Sequence, residues 1–117
     1  MELIAYLGMD KENWGQITAL INRYDWSKII LVKNKNSEEF VPSKKAEIIK
    51  IDAGEPLIEL KNNIIEKLRN KIGELEVALS IASGTGKEHM ALISALLSIP
   101  VGVRFVAFTK NGVEFIN

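Results

Sequence analysis

The chain has 117 residues, 47% of them hydrophobic and 26% charged, with 15 Lys and Arg against 15 Asp and Glu. One domain of ordinary size is expected, and disordered, collagen-like and low-complexity classes are excluded. Zero net charge argues against a general duplex-DNA binder, the absence of Cys removes disulfides, thiol catalysis and cysteine-bound zinc, and a single His removes a multi-histidine metal site within one subunit.

The start, Met1-Glu2, is acidic and runs straight into an apolar stretch, so no secretory leader is expected. Residues 2–8 (ELIAYLG) read as a buried strand ended by Gly8. Asp10 is placed to cap a helix in which Trp14, Ile17, Leu20, Ile21 and Tyr24 recur at three- and four-residue spacing. Trp14, at the start of that helix, faces either the core or the ligand cleft, and its spacing with Ile17 and Ile21 favours the core. Residues 26–32 (WSKIILV) are a second strand, closed by Lys33-Asn34-Lys35-Asn36, and residues 46–51 (AEIIKI) are a third. Pro56 suits the first turn of a second helix carrying Leu57, Leu60, Ile64, Ile65, Leu68 and Ile72, with Gly73 as a left-handed stop.

Residues 76–82 (EVALSIA) form a fourth strand that runs directly into Ser83-Gly84-Thr85-Gly86-Lys87 and then a helix ending before Pro100. The nearly apolar residues 90–103 are too short for a membrane span and are broken by Ser94, Ser98 and Pro100, so a soluble cytoplasmic domain is expected. Residues 101–108 are a fifth strand, and Asn111-Gly112 signals a hairpin into residues 113–116.

Continuous apolar runs separated by amphipathic helices indicate a parallel sheet covered on both faces. Right-handed crossovers place the first and fourth strands side by side, with the chain winding outward from each. The predicted fold is α/β: a Rossmann-like three-layer sandwich whose mostly parallel sheet ends in a C-terminal antiparallel β-hairpin.

In such a sheet a ligand binds beyond the carboxyl ends of the strands where the winding reverses. Gly8-Met9-Asp10 and the 83–87 loop flank that point. Two glycines one residue apart turn backbone N–H groups toward an anion, and the next helix adds its positive end. Ser83 and Thr85 supply hydroxyls and Lys87 a mobile charge, so the loop can cradle a phosphate. A P-loop is rejected, because Ile81 stands where its first glycine belongs and Glu88 where its magnesium-binding hydroxyl belongs. The dinucleotide fingerprint also fails, at His89.

The segment Ser83-Gly84-Thr85-Gly86-Lys87-Glu88-His89-Met90, with residues 91–98 behind it, resembles the corresponding loop of the CARF (CRISPR-associated Rossmann fold) family. The family usually shows T-G-G-T-K where this chain has S-G-T-G-K, and with the terminal hairpin the resemblance covers nearly all of residues 1–117. It implies a homodimeric sensor of a cyclic oligoadenylate, bound across the two-fold axis, in type III CRISPR defence. It further implies that the 83–87 loop, Gly8, Met9, Asp10 and Met90 face the ligand, with no cofactor and no metal. Some family members cleave the ring without metal; in that role Lys87 stabilises the developing charge and Ser83 or Thr85 orients the reacting groups. Family members usually carry an output domain, so the expectation is either part of a longer regulator or a binding domain acting alone. A third reading is a nucleotide- or phosphate-metabolite-binding Rossmann domain outside CRISPR.

Lys33 and Asn34, on the same edge, are candidates for outlying phosphates or adenine edges, or else a solvated loop. His89 is two helical positions past Lys87, about 200° around the axis, and suits a surface or satisfied role better than catalysis. From Lys28 to Lys50 six lysines face three acids, a mild basic patch. Met90, Ile93 and Leu97 form a packing stripe that can also touch a partner.

Overall fold

The computed structural model describes residues 1–117. The six strands are β1 (Glu2–Leu7), β2 (Lys28–Asn34), β3 (Glu47–Ile51), β4 (Glu76–Ser80), β5 (Gly102–Thr109) and β6 (Gly112–Phe115). The helices are α1 (Trp14–Arg23), α2 (Leu57–Leu68) and α3 (Gly86–Ser98), with one 3-10 turn at Lys11–Asn13. The strands form one sheet in the order β3-β2-β1-β4-β5-β6, all parallel except the β5–β6 pair. β1 and β4 are neighbours, as the apolar runs predict, with Glu2 opposite Val77 and Ala5 opposite Ser80.

Every residue of β1 is buried, because side chains alternating along a central strand meet a covered face on both sides. Leu3, Ala5 and Leu7 pack with Ile17, Leu20 and Ile21 of α1. Ile4 and Tyr6 pack on the other face with Leu60 and Ile64 of α2 and Ala91, Leu92 and Ala95 of α3. A charge at the start of this strand is tolerated because the Glu2 carboxylate accepts the amides of Gly73 (3.1 Å) and Glu74 (3.2 Å). That contact also explains Gly73. Its φ is not positive and α2 has already ended at Leu68, so Gly73 is not the expected left-handed stop.

Only two connections between neighbouring parallel strands on the β3 side exist, and the one from β2 to β3 has no helix. Residues 35–46 take its place: Phe40 packs edge-on against Trp14, 5.6 Å between ring centres, and Lys11 pairs with Glu38. β2 starts two residues later than predicted, since the Trp26 indole N–H turns aside to the Leu20 carbonyl at 2.8 Å. In the hairpin Thr109 faces Gly112, which holds the positive φ of +99°. No helix is long and apolar enough to cross a membrane.

Candidate functional site

The carboxyl ends of β1 and β4 bring Gly8 and Ser83 together. The Ser83 hydroxyl accepts the Gly8 N–H at 2.8 Å and donates to Asp10 Oδ1 at 2.7 Å. The same oxygen accepts the Gly84 N–H at 3.0 Å, and Asn13 Nδ2 donates to Oδ2 at 2.7 Å. Asp10 is therefore a clasp between the two loops, and its side chain does not cap the following 3-10 turn by bonding its backbone amides. The loops touch backbone to backbone: a Cβ on Gly8 would stand 2.5 Å from Gly84 Cα. Trp14 meets both expectations: half-buried, it packs against the α1-side core and donates its indole N–H to the Gly8 carbonyl at 2.9 Å.

Gly84 has a φ of +107°, which only glycine adopts readily. Thr85 then caps α3 in a reciprocal box: its hydroxyl accepts the Glu88 N–H at 3.3 Å while Glu88 Oε1 accepts the Thr85 N–H at 2.7 Å. Glu88 is buried, and its second oxygen accepts the Tyr6 hydroxyl at 2.5 Å. His89 turns inward, its Nε2 donating to the Ser83 carbonyl at 2.7 Å.

These partners narrow the expected phosphate cradle. The Gly84 and Thr85 amides are filled by carboxylates of the same chain, so they do not form an open cup. What faces outward is the Gly86 and Lys87 amides, which have no partner within the chain, the exposed Thr85 and the Lys87 side chain. The Lys87 ammonium rests on the Ala53 carbonyl at 3.0 Å and has no carboxylate partner. Ser83 is wholly buried with its hydroxyl engaged on both sides, which removes it as a group that orients a reacting phosphate. Lys33 is corrected for a similar reason: only 4% exposed, it donates to the carbonyls of Ser37 (3.3 Å) and Glu38 (2.7 Å) and does not reach this surface. Asn34 spends its side-chain oxygen on the Ala53 amide at 3.0 Å. Met9 and Met90 are exposed beside the two loops.

Tyr6, Glu88 and the inward His89 escaped the sequence reading as parts of one support, although Thr85-x-x-Glu88 is a legible capping-box pattern. The clasp of Asp10 had no local signal. The rest of the edge is nearly neutral, with Lys11 paired to Glu38 and Lys35 to Asp52 at 3.6 Å.

Burial works to raise the Asp10 pKa, but hydrogen bonds from Ser83, Asn13 and the Gly84 amide outweigh it and hold the carboxyl below its usual range. A depressed folded value adds stability above the unfolded pKa of about 3.9, and that stability is lost as pH falls through the folded value. Urea melts of wild type and Asp10→Asn should accordingly differ at neutral pH and converge in the acid range; a gap independent of pH refutes this role. No protein-family model matches the chain, and no curated protein matches it.

Proposed function

We propose that this chain is a Rossmann-like, CARF-type sensor that binds a cyclic oligoadenylate between two copies of itself, with Lys87 and the first amides of α3 on the ligand phosphates. The observation that carries the reading is the pair of unpartnered amides at Gly86 and Lys87, set beside an ammonium with no carboxylate partner at the reversal of strand winding. A local charge of this kind suits an anionic ligand even in a chain of zero net charge.

A second copy is supported by α3. From Met90 to Ser98 it carries no charged residue, although Met90 is 57% and Leu97 64% exposed, with Ile93 half-buried between them. A solvent face on a surface helix is ordinarily charged. This apolar stripe begins one turn beyond Lys87, so a partner packed on it by two-fold symmetry doubles the ammonium and the helix ends around one ring.

Labelled cyclic tri-, tetra- and hexa-adenylate, mixed with the protein without metal, test the reading. One ring should be retained per two chains, and Lys87→Ala should weaken retention about tenfold or more, the loss of one charge-assisted contact. Failure to retain any ring overturns the proposal. Release of linear product, lost in Lys87→Ala, converts it to the ring-cleaving reading, with Lys87 as the stabilising group.

A further inference from the structure

A concavity of about 680 Å³ lies at the opposite edge of the sheet, where β2 and β3 begin. One wall is apolar, made by Trp26, Ile29 and Ala46. Trp26 is buried to a 9% edge, fixed by its indole bond to the Leu20 carbonyl and flanked by Tyr24, 4.3 Å between ring centres. Its rim is basic, made by Lys28, Lys44 and Lys45.

These lysines are not all explained by the fold. Lys28 bonds the Lys71 carbonyl and stands 3.8 Å from Glu47. The only partner of Lys44 is the Tyr24 carbonyl at 3.4 Å, and Lys45 forms no ion pair. Glu47, the only acid on the rim, is already neutralised: the Lys71 ammonium binds it at 2.6 Å and holds its carboxyl below the usual range. A groove with two uncompensated ammoniums is thus set in a chain whose total charge is zero.

We propose that this groove is a second ligand site, which takes a phosphomonoester borne on a compact organic group the size of a nucleoside. Volume, charge and wall each bear on that class. The cavity falls inside the range of roughly 300–1,000 Å³ that small-molecule sites occupy. Lys44 and Lys45 act as point charges for a dianionic phosphate, whose rotating oxygens need no fixed fork. The Trp26–Ile29–Ala46 wall accepts a flat apolar body. The inference goes beyond the sensor reading and does not depend on it, since the groove and Lys87 lie at opposite ends of the strands.

Amide NMR shifts of the whole chain test it, with AMP, ribose 5-phosphate, adenosine and inorganic phosphate titrated separately to millimolar concentrations. Shifts over residues 26–29 and 44–47 should saturate with AMP, and ribose 5-phosphate, which lacks the flat base, should bind more weakly. Adenosine and inorganic phosphate should bind there about tenfold more weakly or worse, each lacking one half of the recognition. Lys44→Ala/Lys45→Ala should abolish the response, and Lys87→Ala should leave it intact. The proposal is overturned by an absence of saturable shifts, by shifts centred on Gly84 and Gly86, by a double variant that binds like wild type, or by inorganic phosphate binding as well as AMP. Loss of ring retention in the sensor experiment touches none of these outcomes.

Discussion

Gly84→Ala should be strongly destabilising for a single added methyl group. Two independent penalties fall on the same atom. The backbone there has a φ of +107°, and holding a side chain in such a region costs about 1–3 kcal/mol. The added Cβ would also stand 2.6 Å from Tyr6 Cδ1, and the Tyr6 ring is wholly buried between the sheet and α3, so it has nowhere to swing. Overpacking of this kind costs about 1–3 kcal/mol more. The sum, about 2–6 kcal/mol, lowers the melting temperature of a domain this size by roughly 8–25 °C. Gly86→Ala is the built-in control, because a Cβ there meets nothing within 4 Å and its φ is not positive. The measurement is paired thermal melts. Equal melting of the two variants would show that the loop shifts freely and that Gly84 holds no fixed position.

That contrast between two glycines two residues apart shows where the sequence is legible. The spacing S-G-T-G-K marks a turn, yet nothing local says which glycine is obligatory; that is decided by Tyr6, 78 positions earlier by number and directly beneath in space. The order of the strands could be read because burial on both faces leaves long apolar runs, as in residues 2–8 and 76–82, and because winding rules allow few arrangements of them. Their ends were less legible. Trp26 is as apolar as Ile29–Val32 of β2, yet it lies outside the strand with its indole N–H on the Leu20 carbonyl, a contact no local pattern announces. The candidate site suffered from the same locality. Asp10 near a helix start reads as a cap until the fold brings Ser83 and Gly84 alongside it. Lys33, near the end of β2, and Lys87, at the start of α3, are the same residue type, but backbone carbonyls from the 35–46 segment capture the first, while the second reaches the Ala53 carbonyl and remains exposed.

The support under Lys87 is a buried polar contact, and its removal should be the other large effect. The Glu88 carboxyl binds Tyr6 from β1 and the Thr85 amide from the loop, so a single side chain ties the start of α3 to the central strand. In Glu88→Ala the carboxylate arm of the capping box is lost, at about 0.5–2 kcal/mol, and the buried Tyr6 hydroxyl is left without a partner, at about 1–3 kcal/mol. A total loss of about 1.5–5 kcal/mol follows. Tyr6→Phe removes one donor from the same carboxyl and should cost about 1.5–3 kcal/mol. Because both changes break one bond, the double variant should be less destabilised than the sum, by a coupling of about 1–3 kcal/mol. Burial first, then the bond to Glu88 and its negative charge, raise the Tyr6 pKa. A raised folded value gives stability that is complete below the unfolded pKa of about 10 and declines as pH rises beyond it. Wild type should therefore lose stability relative to Tyr6→Phe in the alkaline range. Urea melts of the four proteins across pH read out both the coupling and this slope. If Tyr6→Phe and Glu88→Ala simply add, the contact does not anchor the loop, and Lys87 must be positioned by the Asp10 clasp alone.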